Sequence, residues 1–314
     1  MGNQMMKSQI AFLFLFSSWM ANAAFGQGLQ ATILNVNGET TPGFVIGADK
    51  EGILVSTTAD GATSFKLPFQ NIKDYNMEEP KGWSAALAVY QSGNYAEAEK
   101  QFETLGQSLE KLVPLRDSFG SMAKYYHFSS LQKQGKFKEL AAVFERQLAN
   151  PLSLNEGFQE DIQDLQGWTI VGKQDWVALM AYLQGFEDKA AKGSLPQAPF
   201  KKASRSRLSS LFFMRALLEE HDGKKELALL DYHGALTLNL GSDASLTAQA
   251  AKSALRLTDE LLQQKPDHTQ LKRQAYALAV IYRDLSAKGQ LPPELAKLAE
   301  KPAEPAVSPE PDKK

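Results

Sequence analysis

Cysteine is absent from the 314 residues, and histidine occurs only four times. The first absence excludes disulfides, thiolate metal sites, cysteine nucleophiles and dithiol redox chemistry. The second leaves few imidazoles: His127, His221, His233 and His268 show neither H-E-x-x-H nor i, i+4 spacing. His221-Asp222 falls at an expected helix turn, with Asp231 and His233 on the following helix. A metal reading would need these four to converge, and polar surface residues near a turn are the plainer reading. No G-x-S-x-G elbow and no G-x-x-x-x-G-K-[ST] loop is present. The Gly-Lys pairs at 135–136, 172–173 and 223–224 lack the other residues of a phosphate cradle. An excess of positive charge is missing too. Lys and Arg number 34 against 36 Asp and Glu, for a net charge of -2, so no overall field attracts nucleic acid. The acidic pairs Glu78-Glu79, Glu160-Asp161 and Glu219-Glu220 are sequence neighbours, which point apart on a helix. Asp49-Lys50-Glu51-Gly52 is too short for a calcium loop. Neither a catalytic set nor a cofactor or metal site is expected, and the expectation is a non-enzymatic protein.

Long apolar runs are confined to the N-terminus. MGNQMMKSQIAFLFLFSSWMANAAFG joins a lysine at position 7, an apolar stretch from Ile10 to Met20, and Ala21-Asn22-Ala23. That order is the one found in secretory signal peptides, with cleavage near Ala23; an uncleaved anchor is the alternative. The stretch is short for a membrane span, which needs about 20 apolar residues. A periplasmic or secreted chain that is not an integral membrane protein after cleavage is expected. With 43% hydrophobic residues and no disulfides, its stability must come from packing.

From about Leu29 to Met77, short β-branched and aromatic runs alternate with Asn37-Gly38, Asp49–Gly52 and Asp60-Gly61. These are strand and hairpin signals at close spacing. Five strands in so short a stretch predict a small closed barrel over 29–78, since a flat sheet would leave edges exposed. The order NG-x-x-x-x-G-x-V, a D-x-x-G turn and a late L-P-x-x-x-I resembles SH3-like and Sm-like barrels.

From Trp83 to about residue 288 the apolar spacing is helical, with breaks near Gly93, Pro114, Gly135, Pro151, Gly172, 192–199, Gly223, Gly241 and Pro266. Within it, Gly93, Tyr95, Ala98 and Phe102 form G-x-Y-x-x-A-x-x-x-F. Gly135, Phe137, Leu140 and Phe144 keep these intervals, and so do Gly223, Ala228, Tyr232 and Ala235. A further unit near Gly172–Leu183 has Trp176 and Leu179 but no glycine in register. The glycine ends one helix in a left-handed turn, the alanine lets paired helices approach, and the large residues fill the gaps. This pattern resembles the tetratricopeptide repeat (TPR), a 34-residue helix-turn-helix unit stacked into an α-α superhelix. The first interval, Gly93 to Gly135, is 42 residues, longer than the family norm. A generic helical bundle is the alternative. The Pro-, Glu- and Lys-rich residues 292–314 predict a disordered tail.

The resemblance implies a mostly α fold that binds protein partners in a groove made by the first helix of each pair. Carried onto this chain, groove positions are Leu87, Tyr90 and Gln91, then Tyr125, Ser129, Gln132 and Lys133, then Phe213, Leu217, Glu220 and His221. They do not spell the basic-and-asparagine clamp that grips C-terminal carboxylates in chaperone-binding members. The expected function is an exported scaffold or adaptor for protein-protein interactions in the cell envelope. The alternative is a peptidoglycan- or polysaccharide-binding module, contacting an anionic polymer through Lys201, Lys202, Arg205 and Arg207.

Overall fold

The computed structural model describes residues 28–147, 152–187, 200–239, 243–286 and 289–302. The expected signal peptide lies outside the described residues, as does the tail beyond 302. The chain is mostly α, preceded by a small antiparallel sheet. It divides into two compact units, 1–131 with 143–159, and 132–142 with 160–314.

The sheet contains β1 (Leu29–Asn35), β2 (Thr40–Ala48), β3 (Gly52–Ser56), β4 (Ser64–Pro68) and β5 (Ile72–Met77). Turn chemistry sets these limits. Between β1 and β2, Gly38 sits at φ 86°, and the Asn35 side-chain oxygen accepts the amides of Asn37 and Glu39. Between β2 and β3, Asp49 accepts the amides of Glu51 and Gly52 in the same manner.

The expected closed barrel does not form. The strand order is β4-β3-β2-β1-β5, which leaves β4 and β5 as unpaired edges of an open sheet. The physical reason lies some 30 residues further along the chain. Leu109, Leu112 and Leu115 pack on Ala31, Ile33, Val45, Ile53 and Val55, so the apolar face is covered without closure. These leucines belong to the stretch that makes the first repeat interval long. Each edge is also occupied. On β4, Lys66 pairs with Asp49 at 2.7 Å and Glu51 at 2.6 Å, and on β5 the Tyr75 hydroxyl donates to the Arg116 carbonyl.

Ten α-helices follow among the described residues: α1 (Trp83–Gln91), α2 (Tyr95–Ser108), α3 (Phe119–Lys133), α4 (Phe137–Gln147), α5 (Gln159–Lys173), α6 (Trp176–Gln184), α7 (Leu208–His221), α8 (Lys225–Asn239), α9 (Ala244–Gln264) and α10 (Thr269–Leu285). Four of the tight turns between them share one geometry. Gly93, Gly135 and Gly223 adopt φ of 81°, 73° and 76°. Gln174 takes the equivalent place between α5 and α6 at φ 56°. In each turn this residue's amide bonds the carbonyl three back: Gly93 to Tyr90, Gly135 to Gln132, Gln174 to Val171 and Gly223 to Glu220, at 2.9–3.0 Å. The next amide reaches five back in three of them, from Asn94 to Val89, Asp175 to Ile170 and Lys224 to Glu219. Such paired bonds satisfy the orphan carbonyls of a helix end.

The break expected near Gly172 falls at Gln174, and Gly172 itself lies inside α5. Gly172 has a different job. A Cβ there would lie 1.9 Å from the Phe137 carbonyl oxygen, so the backbone of α5 touches the start of α4. One turn earlier, the Trp168 ring stacks on Phe137 at 4.6 Å.

The alanines and aromatics of the repeat pattern pack as their spacing implies. In the first unit Ala86, Ala98 and Phe102 are fully buried, and Trp83 meets Phe102 edge-on at 5.5 Å. In the second unit Ala216, Ala228, Tyr232 and Ala235 are fully buried. The C-terminal expectation needs revision. Residues Pro293–Ala299 form a 3-10 segment with Leu295 buried, packed on α9 and α10. A leucine pair three apart supplies the apolar anchor that overall composition hid.

Gly172→Ala should cost about 3 kcal/mol or more, because the new methyl meets backbone that a side-chain rotation cannot clear. Gln174→Gly should stabilise by about 0.5–1 kcal/mol, since relief of the left-handed strain exceeds glycine's added chain entropy. Urea unfolding of both variants measures the two signs, and destabilisation by Gln174→Gly would contradict the shared turn.

Candidate functional site

The groove positions expected from the sequence divide by their packing. In the first unit, Leu87 and Tyr90 are half-buried and Gln91 is exposed. Tyr90 is mainly a core residue: its ring meets Tyr126 edge-on at 5.0 Å, and its hydroxyl shares a 2.7 Å hydrogen bond with Ser129. Tyr125 is buried and packs edge-on against Phe158 at 4.9 Å.

In the second unit, Gln132 is buried and Lys133 pairs with Asp243. The carbonyls of both residues accept the Gln249 side-chain amide, and that of Lys133 also accepts the Ser245 hydroxyl. These contacts draw Gln132 and Lys133 into the packing within their unit. They belong to an internal cap, where the start of α9 satisfies the end of α3.

Phe213, Leu217 and Glu220 form a more coherent set. Phe213 is buried between Trp168 at 5.4 Å and Tyr232 at 5.3 Å, and it is among the residues lining a pocket. One turn on, Leu217 lines the same pocket of about 360 Å³. Its walls come from Gln134, Gly135 and Phe137 in the α3–α4 turn and from Gln249, Lys252, Ser253 and Arg256 on α9. Glu294 and Leu295 close one side. At the rim, Arg256 bonds Glu220 at 2.5 Å and Glu260 at 2.6 Å, while Glu220 also accepts the Tyr232 hydroxyl at 3.0 Å. Glu220 thus orients Arg256 rather than facing a ligand directly. His221, one residue on, stacks on Trp176 at 4.6 Å.

A mainly apolar lining that also includes Lys252 suits a short segment carrying apolar and acidic side chains. The α9 wall was not anticipated, although its signal was present. Gln249, Ser253, Arg256 and Glu260 recur at 4-, 3- and 4-residue steps, one polar stripe on a helix whose other face is alanine and leucine.

A buried ionic cluster lies between α7 and α8. Arg215 forms two bonds with Asp231, Nε to Oδ2 at 2.5 Å and Nη2 to Oδ1 at 2.6 Å. The guanidinium also lies over the rings of Phe212 and Phe200, at 4.9 and 5.2 Å. Glu219 is buried beside the pair, with Oε2 lacking a hydrogen-bond partner. Burial, then the neighbouring Asp231 carboxylate, push the Glu219 carboxyl up to about 7, and Arg215 and Lys224 only partly oppose them. Of the acidic neighbours read as solvated charge, Glu219 is the exception: its helix turns it inward while Glu220 faces the rim. His233, on α8, is held below its ordinary value by burial. Among the described residues no three His, Asp or Glu side chains group to hold a metal ion.

The basic cluster is smaller than the sequence implied. Arg207 is buried, bonding Asp164 at 2.7 Å, Gln163 at 2.8 Å and the Tyr182 hydroxyl at 2.9 Å. Lys201, Lys202 and Arg205 remain exposed. Among the described residues no helix is long and apolar enough to cross a membrane. No protein-family model matches the chain, and no curated protein matches it in sequence.

Glu219 gives a pH test of this cluster. The folded chain keeps its proton from the ordinary carboxyl value of 4.5 up to about 7, where the unfolded chain has lost it. The folded state binds more protons in that window, so this carboxyl's contribution to stability falls as pH rises through it. Glu219→Gln keeps a donor for Asp231 and removes the titration. Its melting temperature should match the wild type near pH 4 and exceed it near pH 8. A difference independent of pH would contradict the assignment.

Proposed function

We propose that this protein is a non-enzymatic, exported scaffold or adaptor of the cell envelope that binds a polypeptide segment through TPR-like helical hairpins. The observation that carries the reading is the pocket on α7 and α9, where Phe213 and Leu217 meet Lys252 and Arg256. Both are first helices of their pairs, the helices that line the groove in the repeat family this chain resembles. The shared left-handed turns support the same reading, since they impose one hairpin geometry on successive pairs. The N-terminal signal-like sequence supports export. Function then rests on surface complementarity: leucine-sized side chains fill the floor, and carboxylates meet the α9 cations.

Affinity capture from envelope extract tests it, with Leu217→Asp and Lys252→Glu as variants. Leu217 is half-buried and Lys252 exposed, so the second variant leaves the core intact. Both should lower recovery of a bound protein by about ten-fold or more, as for central interface positions. A protein recovered equally by the wild type and both variants would overturn the groove assignment.

A further inference from the structure

The pocket on α7 and α9 is walled in part by another segment of the same chain. Residues 293–299 lie against α9 and α10, and Leu295 is only 4% exposed. Glu294 and Leu295 form one side of the 360 Å³ pocket, alongside Lys252 and Arg256. Lys297 pairs with Asp259 at 2.9 Å. Leu298 faces a second cavity of about 410 Å³, which Leu262, Pro266 and Ala275 also line.

The fit is incomplete on both sides. Among the described residues, open pockets of that size stand beside both of its leucines, space that a bulkier apolar segment would occupy. The segment is also a 3-10 helix without a side-chain cap, a form rarely sustained beyond three or four residues. Its charges nevertheless suit its seat: Glu294 lines the same pocket as Lys252 and Arg256, and Lys297 pairs with Asp259. Buried Leu295 and the Lys297–Asp259 ion pair anchor the strap beside a mainly apolar pocket whose lining includes Lys252 and Arg256.

We infer that residues 291–302 are a built-in placeholder for the groove, displaced by a partner segment with the same chemistry: an acidic residue followed by leucines three apart. This rests on the scaffold reading and deepens it. A partner helix with that pattern places its leucines in the two open pockets beside the strap and brings its carboxylate to Lys252 on the pocket lining. The tethered strap competes at the effective concentration of an intramolecular ligand, so only a better-fitting segment gains entry. The wild-type chain therefore binds weakly or selectively, and release of the strap raises its affinity.

The test uses the full chain and a labelled peptide, LPPELAKLAEKP, which is residues 291–302. Leu295→Asp with Leu298→Asp releases the strap. Fluorescence anisotropy should show saturable peptide binding to this variant, about ten-fold or more tighter than to the wild type. Adding Leu217→Asp to the released chain should abolish the binding. A peptide with aspartate in place of both leucines should not bind. Lys297→Glu, which removes only the ion pair with Asp259, should give an intermediate affinity and covers a failure of the double variant to fold. Equal peptide affinity for wild type and Lys297→Glu, or no binding to a released chain whose circular dichroism is unchanged, would overturn the inference. Affinity capture with the same chains separates this from the scaffold reading. A partner held equally by wild-type and released chains, dependent on Leu217, would overturn the placeholder and leave the scaffold standing. Peptide binding as expected, with no protein captured by either chain, would leave the placeholder standing and count against the scaffold.

Discussion

The left-handed residue between paired helices is the constraint on which the helical architecture depends. At Gly93, Gly135, Gln174 and Gly223 the chain must reverse within two residues while satisfying the last carbonyls of the helix before it. A positive φ does both, and it fixes the angle at which the second helix returns along the first. Small residues at the crossing then become obligatory. Ala98 and Ala228, on the return helices, are fully buried. Phe102 and Tyr232 fill what remains. In three turns glycine meets the constraint at little cost. Between α5 and α6 glutamine meets it under strain, and Trp176 and Leu179 still take up their expected places on the return helix.

The same constraint shows why the turns and strands were legible and the site only partly so. Turn chemistry is local: Asn37-Gly38, Gly93 and Gly223 each announce a backbone conformation that few other residues adopt. Strand limits from residues 29 to 77 followed from it with little error. Closure of the sheet is not local. It depends on Leu109, Leu112 and Leu115, distant in sequence, which cover the apolar face and make a closed barrel unnecessary. Gln174 escaped recognition because its conformation is imposed by the hairpin around it and not by its own preference.

For the groove, helical periodicity placed Phe213 and Leu217 on a shared face, and they do line one pocket. Periodicity could not separate residues facing out from those absorbed by neighbours. Tyr90 went into an aromatic core, Gln132 and Lys133 into a helix cap, and Arg207 into a buried network with Asp164. In each case a polar or aromatic tip found an internal partner from a distant segment, and burial won over exposure. Glu219 is the converse. A charged residue beside another charge reads as solvated, yet its turn of α7 points it at Asp231 and shifts its titration toward neutrality.

What unites the site is a division of labour between two kinds of contact. Internal pairs such as Arg215 with Asp231 and Glu220 with Arg256 hold the helices and aim the rim. The pocket, by contrast, has a mainly apolar lining to which the chain's own Leu295 contributes, and the proposed exchange of one segment for another would take place there. The most direct measurement is photocrosslinking from position 217, with Leu217 replaced by p-benzoylphenylalanine in the full chain. The account predicts crosslinks to the 293–299 segment in the purified protein, moving to a second polypeptide in envelope extract. Crosslinks confined to the chain's own residues in both settings would contradict it.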